Sequence, residues 1–421
     1  MSSHPVALAQ DPAVPQRDQL MDLDAIARRL TMRIGRNGPV SIGSCGLGCI
    51  SYRAGKRLRV VYRLEIDGRD LLLAASTFRS SSRGERAYRK AKEKACSTGP
   101  FRPIVYDAGL ETVFWVFPND RRIRNLSAVA DAHDDVTRLV NGSWARSRLV
   151  DYYPEASAVM GCLDDSGRVV AYAKVNAGDE GERTHRIQEA LARLACGSRL
   201  RIARPLAYSR RYRTLVVEPI VGESIRRLTG PRLLAGLHAY GAALATLHSM
   251  PPVGGGRGVR DALGRLQRKA DGLRMVRPDV DDAVSELLDE LGARWEEGGA
   301  EPVLVHGDTN ENNAILQGDR IALIDFDRAS IGAAGSDIGN FLGLLRYFRL
   351  LGFISPRSER TRAAAFVDGY SSVSPLPLRE SLRVNESAAL AERAIRAVTR
   401  LRTSALRRVP ALLQEARELL R

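Results

Sequence analysis

The segment GERAYR at 84–89 returns as GERTHR at 181–186, and each copy follows a short apolar run, LLLAASTF (71–78) and VVAYAKV (169–175). Further on, WVFPNDRRIRNL (115–126) returns as VEPIVGESIRRL (217–228). Upstream, ISYRAGKRLRVVYRLEIDGR (50–69) lies opposite VDYYPEASAVMGCLDDSGR (150–168). The order is kept and the offset stays near about one hundred residues, the pattern left by a duplicated structural unit. Each copy reads as two strands joined by a D-G or S-G turn, then a helix, then further strands.

From residue 229 the pattern changes to long helices. PRLLAGLHAYGAALATLHSM (231–250) has apolar residues at helical spacing and stops at Pro251-Pro252, with Gly254, Gly255 and Gly256 forming the loop beyond. A second helix is predicted over 279–297, and the tail from 340 to 421 is helical with a Ser/Pro break near Ser371–Pro377. At 421 residues the chain exceeds what one core serves. Three parts are expected: a first repeat over 1–140, a second over 141–228 and a helical part over 229–421.

Composition narrows the function. With 44% hydrophobic and 27% charged residues the chain is globular rather than disordered. No apolar run approaches the ~18 residues of a membrane span, and the N-terminus lacks a basic segment followed by an apolar one. The cytoplasm is the expected location. Cys45, Cys49, Cys96, Cys162 and Cys196 form no C-x-x-C pair and are expected as free thiols. Cys45 and Cys49 are read in a glycine-rich turn, without the histidine or cysteine partners of a zinc site.

A net charge of +15 raises nucleic acid as a partner. Of the 64 basic residues, however, only six are lysine, a drift toward arginine everywhere. The charge is scattered and not interleaved with stacking aromatics, which argues against that reading. Where arginine serves for any cation, the few lysines gain interest.

The stretch VLVHGDTNENNAILQGDRIALIDFDRASIGAAGSDIGNFLG (303–343) is the densest in chemistry. Two apolar strand-like runs bracket a loop rich in Asp and Asn. Hard oxygen ligands on a rigid edge suit a magnesium-phosphate site, and a carboxylate can take the proton of an attacking hydroxyl. A lone H-G-D would mean only a turn. Five spaced elements on strands and loops carry more.

H-G-D-x-x-x-x-N followed by a strand ending in I-D-F-D resembles the aminoglycoside phosphotransferase and choline kinase-like family. The resemblance implies an α+β, bilobal protein-kinase-like fold, with the first repeat a degenerate copy of the N-lobe and a helical C-lobe. It implies Asp308 as catalytic base, His306 as a brace of that loop, Asn313 and Asp325 as magnesium ligands with Asp327 as a further metal contact, and Asp337 as a structural support. ATP, or GTP in its place, and Mg2+ are the implied cofactors.

A kinase site also needs a cation on the nucleotide phosphates. Lys174 ends the run VVAYA where such a lysine belongs, with Glu189 expected as its helix partner and Glu182 as second choice. Glu218 lies where the resemblance puts the adenine-binding hinge. No G-x-G-x-x-G precedes Lys174, so the loop at 153–161 is expected to cover the phosphates. Aligned on G-E-R, Lys174 falls opposite Thr77 and Glu189 opposite Lys92, so the first repeat lacks the ion pair. A structural, dimerising (homodimer) or substrate-shaping role is expected for it.

Residues 340–421 carry fifteen arginines against seven acids, which disfavours a polycationic acceptor. A neutral or anionic small-molecule acceptor such as a sugar, sugar derivative or natural-product intermediate fits better. Kinase action on a short peptide and a catalytically inactive binding protein are the alternatives. The nine residues between Asp327 and Asp337 leave no long activation loop for a polypeptide.

Overall fold

The computed structural model describes residues 8–196, 198–253, 259–295 and 301–421. The predicted glycine loop at 254–256, the last two residues of the predicted 279–297 helix and the first seven residues lie outside them.

Two short helices, α1 (Arg17–Met21) and α2 (Leu23–Thr31), precede an antiparallel sheet of β1 (Ile42–Arg53), β2 (Arg57–Ile66), β3 (Arg69–Thr77), β4 (Ile104–Asp107) and β5 (Thr112–Val116). Helix α3 (Ser81–Lys92) connects β3 to β4. The short α4 (Leu126–Ala130) and α5 (Asp134–Thr137) lead to β6 (Arg146–Tyr153), β7 (Ser157–Leu163) and β8 (Val169–Asn176), then α6 (Glu180–Leu194), β9 (Leu200–Ile202), β10 (Pro205–Ser209) and β11 (Thr214–Val217). The first sheet is ordered β1-β2-β3-β5-β4 and the second β6-β7-β8-β11-β10, the same path drawn twice.

Each unit has three strands before its helix, one more than the two predicted. The glycine-rich stretch around Cys45 and Cys49 is not a turn but the first half of β1, whose register against β2 shifts twice there. The cysteines are free thiols.

Side-chain packing fixes the correspondence between units. A Cβ on Gly84 would meet the Tyr106 ring at 2.7 Å, and one on Gly181 would meet the Tyr208 ring at 3.0 Å. Each helix therefore starts with a glycine laid against a tyrosine of the edge strand. Thr112 and Thr214 occupy matching positions after the hairpin loop, each donating its hydroxyl to the carbonyl two residues back. Thr112 pairs with Thr77, and Thr214 with Val175. The residue preceding Val175 is Lys174, so its counterpart is Ser76, not Thr77. One residue fewer separates strand from helix in the second unit, which shifts an alignment drawn on the helix motif.

Alternation along the strands shows how the sheets stack. Val61, Ala74, Val113 and Trp115 of the first sheet share a core with Ala158, Met160, Ala171, Ala173 and Val175 of the second. Ser76 lies on the same side of β3 as Ala74, whereas Lys174 lies on the side of β8 opposite Ala173. The two units are thus stacked in tandem. The face of the first that corresponds to the Lys174 face is covered by the back of the second.

The other face of the first sheet, with Tyr52, Val60, Tyr62, Leu73 and Phe114, is continuous with a core of C-terminal helices. These belong to the part that follows β12 (Glu223–Ser224): α7 (Gly230–His248), α8 (Val259–Val276), α9 (Asp281–Trp295), β13 (Val303–Val305), β14 (Ala314–Gln317), β15 (Arg320–Leu323), β16 (Ser330–Gly332), α10 (Ala334–Leu350), α11 (Pro356–Ser371), α12 (Arg379–Thr399), α13 (Thr403–Leu406) and α14 (Val409–Glu418). Helix α7 starts with a proline in its first turn and ends before Pro251, as helix-terminus chemistry dictates. Strands β12, β14, β15 and β9 form a small sheet in which β9 runs parallel to β15 and ties it to the second unit. Among the described residues no helix is long and apolar enough to cross a membrane.

Candidate active site

The predicted loop residues converge between β13 and β16, and their positions follow from backbone demands. Gly307 has φ +77, and a Cβ there would meet the carbonyl oxygen of Arg328 at 2.4 Å. Only glycine allows this approach. Asp337, in the first turn of α10, accepts hydrogen bonds from the backbone N–H of His306 at 2.6 Å and of Gly307 at 2.8 Å. His248 Nε2 lies 3.2 Å from the same carboxylate, and its Nδ1 lies 2.9 Å from the Tyr370 hydroxyl. Burial pushes the Asp337 carboxyl up, but the hydrogen bond from His248 leads the interactions that outweigh it and hold the pKa below the ordinary value.

His306 is buried and does not face open space. Its Nδ1 accepts the Asp308 N–H at 3.3 Å, which leaves Nε2–H to donate to the Ile324 carbonyl at 2.9 Å. It is a positioning residue that joins the Asp308 loop to the turn holding Asp325. Asn313 Nδ2 donates to the Asp308 backbone carbonyl at 2.9 Å and lies 3.3 Å from Asp308 Oδ2. With its nitrogen used there, its amide oxygen remains for a cation. Asp308 and Asp325 are only partly covered, with side chains 30% and 41% exposed. Asp325 has φ +65 and ψ 69, a left-handed conformation uncommon outside glycine and characteristic of strained functional turns.

Across the cleft, Lys174 on β8 reaches Asp325 Oδ1 at 3.1 Å and Asp327 Oδ2 at 2.5 Å. Burial pulls the ammonium pKa down, and the two carboxylates more than reverse this, so it stays raised. Among the described residues no acid of α6 forms an ion pair with Lys174. Glu189 pairs with Arg193 on the outer side of α6, and Glu182 pairs with Arg210. The buried stripe of α6 runs through Gly181, Thr184, Ile187, Gln188 and Leu191. Thr184 Oγ1 lies 3.2 Å from Asp327 Oδ1. Helical geometry puts Glu189 about 100° away from Gln188 and so off this stripe. Counting the period inward from Leu191 would have found Thr184.

The Glu218 side chain does not enter the cleft either. It accepts the Arg204 N–H at 3.1 Å and an Arg201 N–H at 3.2 Å, bracing the start of β10. The loop expected at 153–161 is only a tight turn at 154–156, since residues 157–161 belong to β7, and this turn is tied to the first unit. Arg59 donates to the Pro154 carbonyl at 3.1 Å and to the Glu155 carboxylate, and Arg121 Nε reaches Glu155 at 2.6 Å. Arg328, one residue past the I-D-F-D run, lies 3.8 Å from Asp308 Oδ1 and was not anticipated.

Among the described residues no three His, Cys, Asp or Glu side chains form a metal cage. Asp325, Asp327 and the Asn313 amide oxygen are too few for a cage. They suit magnesium, which keeps water and substrate phosphates among its ligands.

Residues 171–376 match the family model described as phosphotransferase enzyme family. The match covers 206 of the 421 residues, just under half of the chain. By that family the chain resembles a small-molecule kinase. The solved APH(4)-Ia structures agree in fold. The apo form of a thermostable mutant of aminoglycoside phosphotransferase APH(4)-Ia is 18% identical, with TM-score 0.51 over 65% of this chain and 96% of its own. A ternary complex of that mutant protein with AMP-PNP and hygromycin B is 17% identical, with TM-score 0.52 over 68% and 98%. A choline/ethanolamine kinase family protein from Mesorhizobium loti is 11% identical, with TM-score 0.48 over 66% and 89%. No curated protein matches by sequence. About a third of this phosphotransferase-fold chain has no counterpart in the APH(4)-Ia structures, and the family match begins only at β8.

Proposed function

We propose that this chain transfers the γ-phosphate of ATP, or of GTP in its place, to a hydroxyl of a small molecule such as a sugar, a sugar derivative or a natural-product intermediate. The observation that carries the reading is the meeting of Lys174 with Asp325 and Asp327. A strand of the second unit and a turn of the C-terminal part bring one ammonium and two carboxylates to one spot, beside the loop of Asp308 and Asn313.

In this reading Asp308 orients the acceptor hydroxyl and takes its proton as the oxygen bonds to the γ-phosphorus. The bond from that phosphorus to the β-phosphate oxygen breaks, and ADP leaves. Lys174 holds the nucleotide phosphates, and its contact with the acids is the resting arrangement of the same charges. Asn313, Asp325 and Asp327 would hold magnesium, which supplies charge neutralisation for the phosphates when bound. The backbone of the segment at 218–222, after β11, is the adenine hinge, while Glu218 only braces it.

The test is transfer of labelled γ-phosphate by the purified chain with magnesium to pooled sugars and metabolites, beside Asp308→Ala. Loss of the general base should lower kcat about 10²- to 10⁴-fold. Transfer undiminished in that variant would refute the assignment. Nucleotide binding without any transfer would favour the alternative of a kinase-like binding protein.

A further inference from the structure

A cavity of about 230 Å³ opens beside the Asp308 loop, between α8, α10 and α12, with Gly307 and Arg328 in its wall. Its remaining charged lining is mostly cationic: Arg265, Lys269, Arg393 and Arg396, with the acids Glu392 and Asp337 among them. Lys269 Nζ lies 2.9 Å from Glu392 Oε1, Arg396 Nε 3.7 Å and an Arg328 nitrogen 3.9 Å from the same oxygen. Three cations thus lean on one carboxylate.

Arg393 is a separate case. It is partly buried, and its guanidinium donates to the Ala389 carbonyl at 3.0 Å, to the Asn340 carbonyl at 2.9 Å and to Asn340 Oδ1 at 3.1 Å. These are neutral acceptors, and among the described residues no carboxylate forms an ion pair with it. Asn340 in turn donates to the Thr309 carbonyl at 3.1 Å, which fixes Arg393 to the loop that carries Asp308. Burial, and next to it the charge of Arg396, pull its pKa down to about 10. A guanidinium held in a cavity wall by neutral acceptors, with Glu392 and Asp308 acting on it only through space, gains from an anion entering the cavity.

We propose that the phosphoryl acceptor carries an anionic group, a carboxylate or a phosphate, which Arg393 and Arg396 bind in this cavity while its hydroxyl faces Asp308. This rests on the kinase reading above. Lys269, Arg396 and Arg328 share the single negative charge of Glu392, so Arg396, beside Arg393, keeps positive charge to offer a ligand. Arginine presents paired N–H donors that match carboxylate and phosphate oxygens. A polycationic acceptor would meet a wall of like charge.

Two measurements on the full chain separate this proposal from the kinase reading. Thermal stabilisation by Mg-AMP-PNP tests the nucleotide site alone. With Mg-AMP-PNP saturating, inorganic phosphate is then added and compared with chloride at equal ionic strength. Further stabilisation by phosphate is expected in the natural chain and its loss in Arg393→Gln and in Arg396→Gln. Arg396 is exposed, so its variant carries the test if Arg393→Gln fails to fold.

Turnover is measured on monosaccharides, their uronic acids and their monophosphates as matched sets, so that the two sources of negative charge are distinguished. The acidic members should be favoured in kcat/KM over their neutral parents, with KM rising roughly 10- to 100-fold in the arginine variants. If AMP-PNP stabilises the chain but phosphate does not, or if neutral parents are preferred, the anionic-acceptor proposal falls and the kinase reading stands. If AMP-PNP has no effect and no label is transferred, both fall.

Discussion

Lys174 Nζ lies 3.1 Å from Asp325 Oδ1 although the two are 151 residues apart in the chain. β8 carries the lysine on the face turned away from the first unit, and the left-handed backbone at Asp325 turns the acid back toward it. On the proposed kinase reading, removing the lysine takes away the phosphate cation, and it leaves Asp325 and Asp327 to repel each other. Lys174→Ala should therefore lower kcat/KM for ATP by about 10²-fold or more. Steady-state kinetics with varied ATP decide this, and a change below about twofold would contradict the role of Lys174.

On α6, Glu189 is engaged with Arg193 in a solvent-exposed pair, whereas Thr184 touches Asp327. Surface pairs of this kind contribute about 0.3–0.5 kcal/mol. Glu189→Ala should leave kcat/KM within about twofold of the natural chain. Thr184→Val removes a hydrogen bond to a charged group and should cost roughly tenfold. A large loss in Glu189→Ala with none in Thr184→Val would reverse this assignment and mean that the helix rotates when nucleotide binds.

The same helix shows where sequence reading succeeds and where it stops. The existence of α6 and its place after β8 were legible because the repeat and the period of apolar residues are local. Which residue faces Lys174 depends on the rotation of the helix, set by Ile187 and Leu191 entering the core of the C-terminal part. The H-G-D loop and I-D-F-D turn were legible because backbone demands, such as the close approach at Gly307, restrict the residue types. His248 was not: a histidine at the end of α7 gains meaning only once α10 brings Asp337 to within 3.2 Å. The tandem stacking of the sheets was hidden too, since apolar alternation marks both faces of β3 as buried without saying what covers each.

Asp337 predicts an acid-side effect. Its folded pKa is lowered, so its stabilising contribution is complete above the unfolded carboxyl value near ~3.9 and is lost as pH falls through the lower folded value. Asp337→Asn keeps one acceptor but places an amide N–H against the backbone donors of His306 and Gly307. It should destabilise the chain by about 2–4 kcal/mol near neutral pH. Because the variant has no such carboxyl to protonate, its melting temperature should vary less than that of the natural chain as pH falls below about 4. Equal losses at every pH would show that the carboxylate charge does not matter.

Glu155 joins the two stacked units. Its side chain is fully buried, with Arg59, itself only 8% exposed, against one oxygen and Arg121 Nε 2.6 Å from the other. Burial pushes its carboxyl up, but Arg121, Arg59 and Arg57 outweigh this and hold the pKa below normal. Its backbone N–H donates to Asp120 at 2.8 Å, and Asp120 also accepts the Tyr152 hydroxyl at 2.8 Å, so the contact is one polar network set into an apolar interface. Glu155→Gln leaves the Arg59 charge buried without its partner and should cost about 3–5 kcal/mol. Replacing both, as Arg59→Met with Glu155→Gln, removes that stranded charge and should recover much of the loss. Denaturant unfolding of the two single variants and the double variant measures the coupling. A Glu155→Gln chain as stable as the natural one would mean that the apolar contacts of Trp115, Met160 and their neighbours hold the sheets together without the ion pairs.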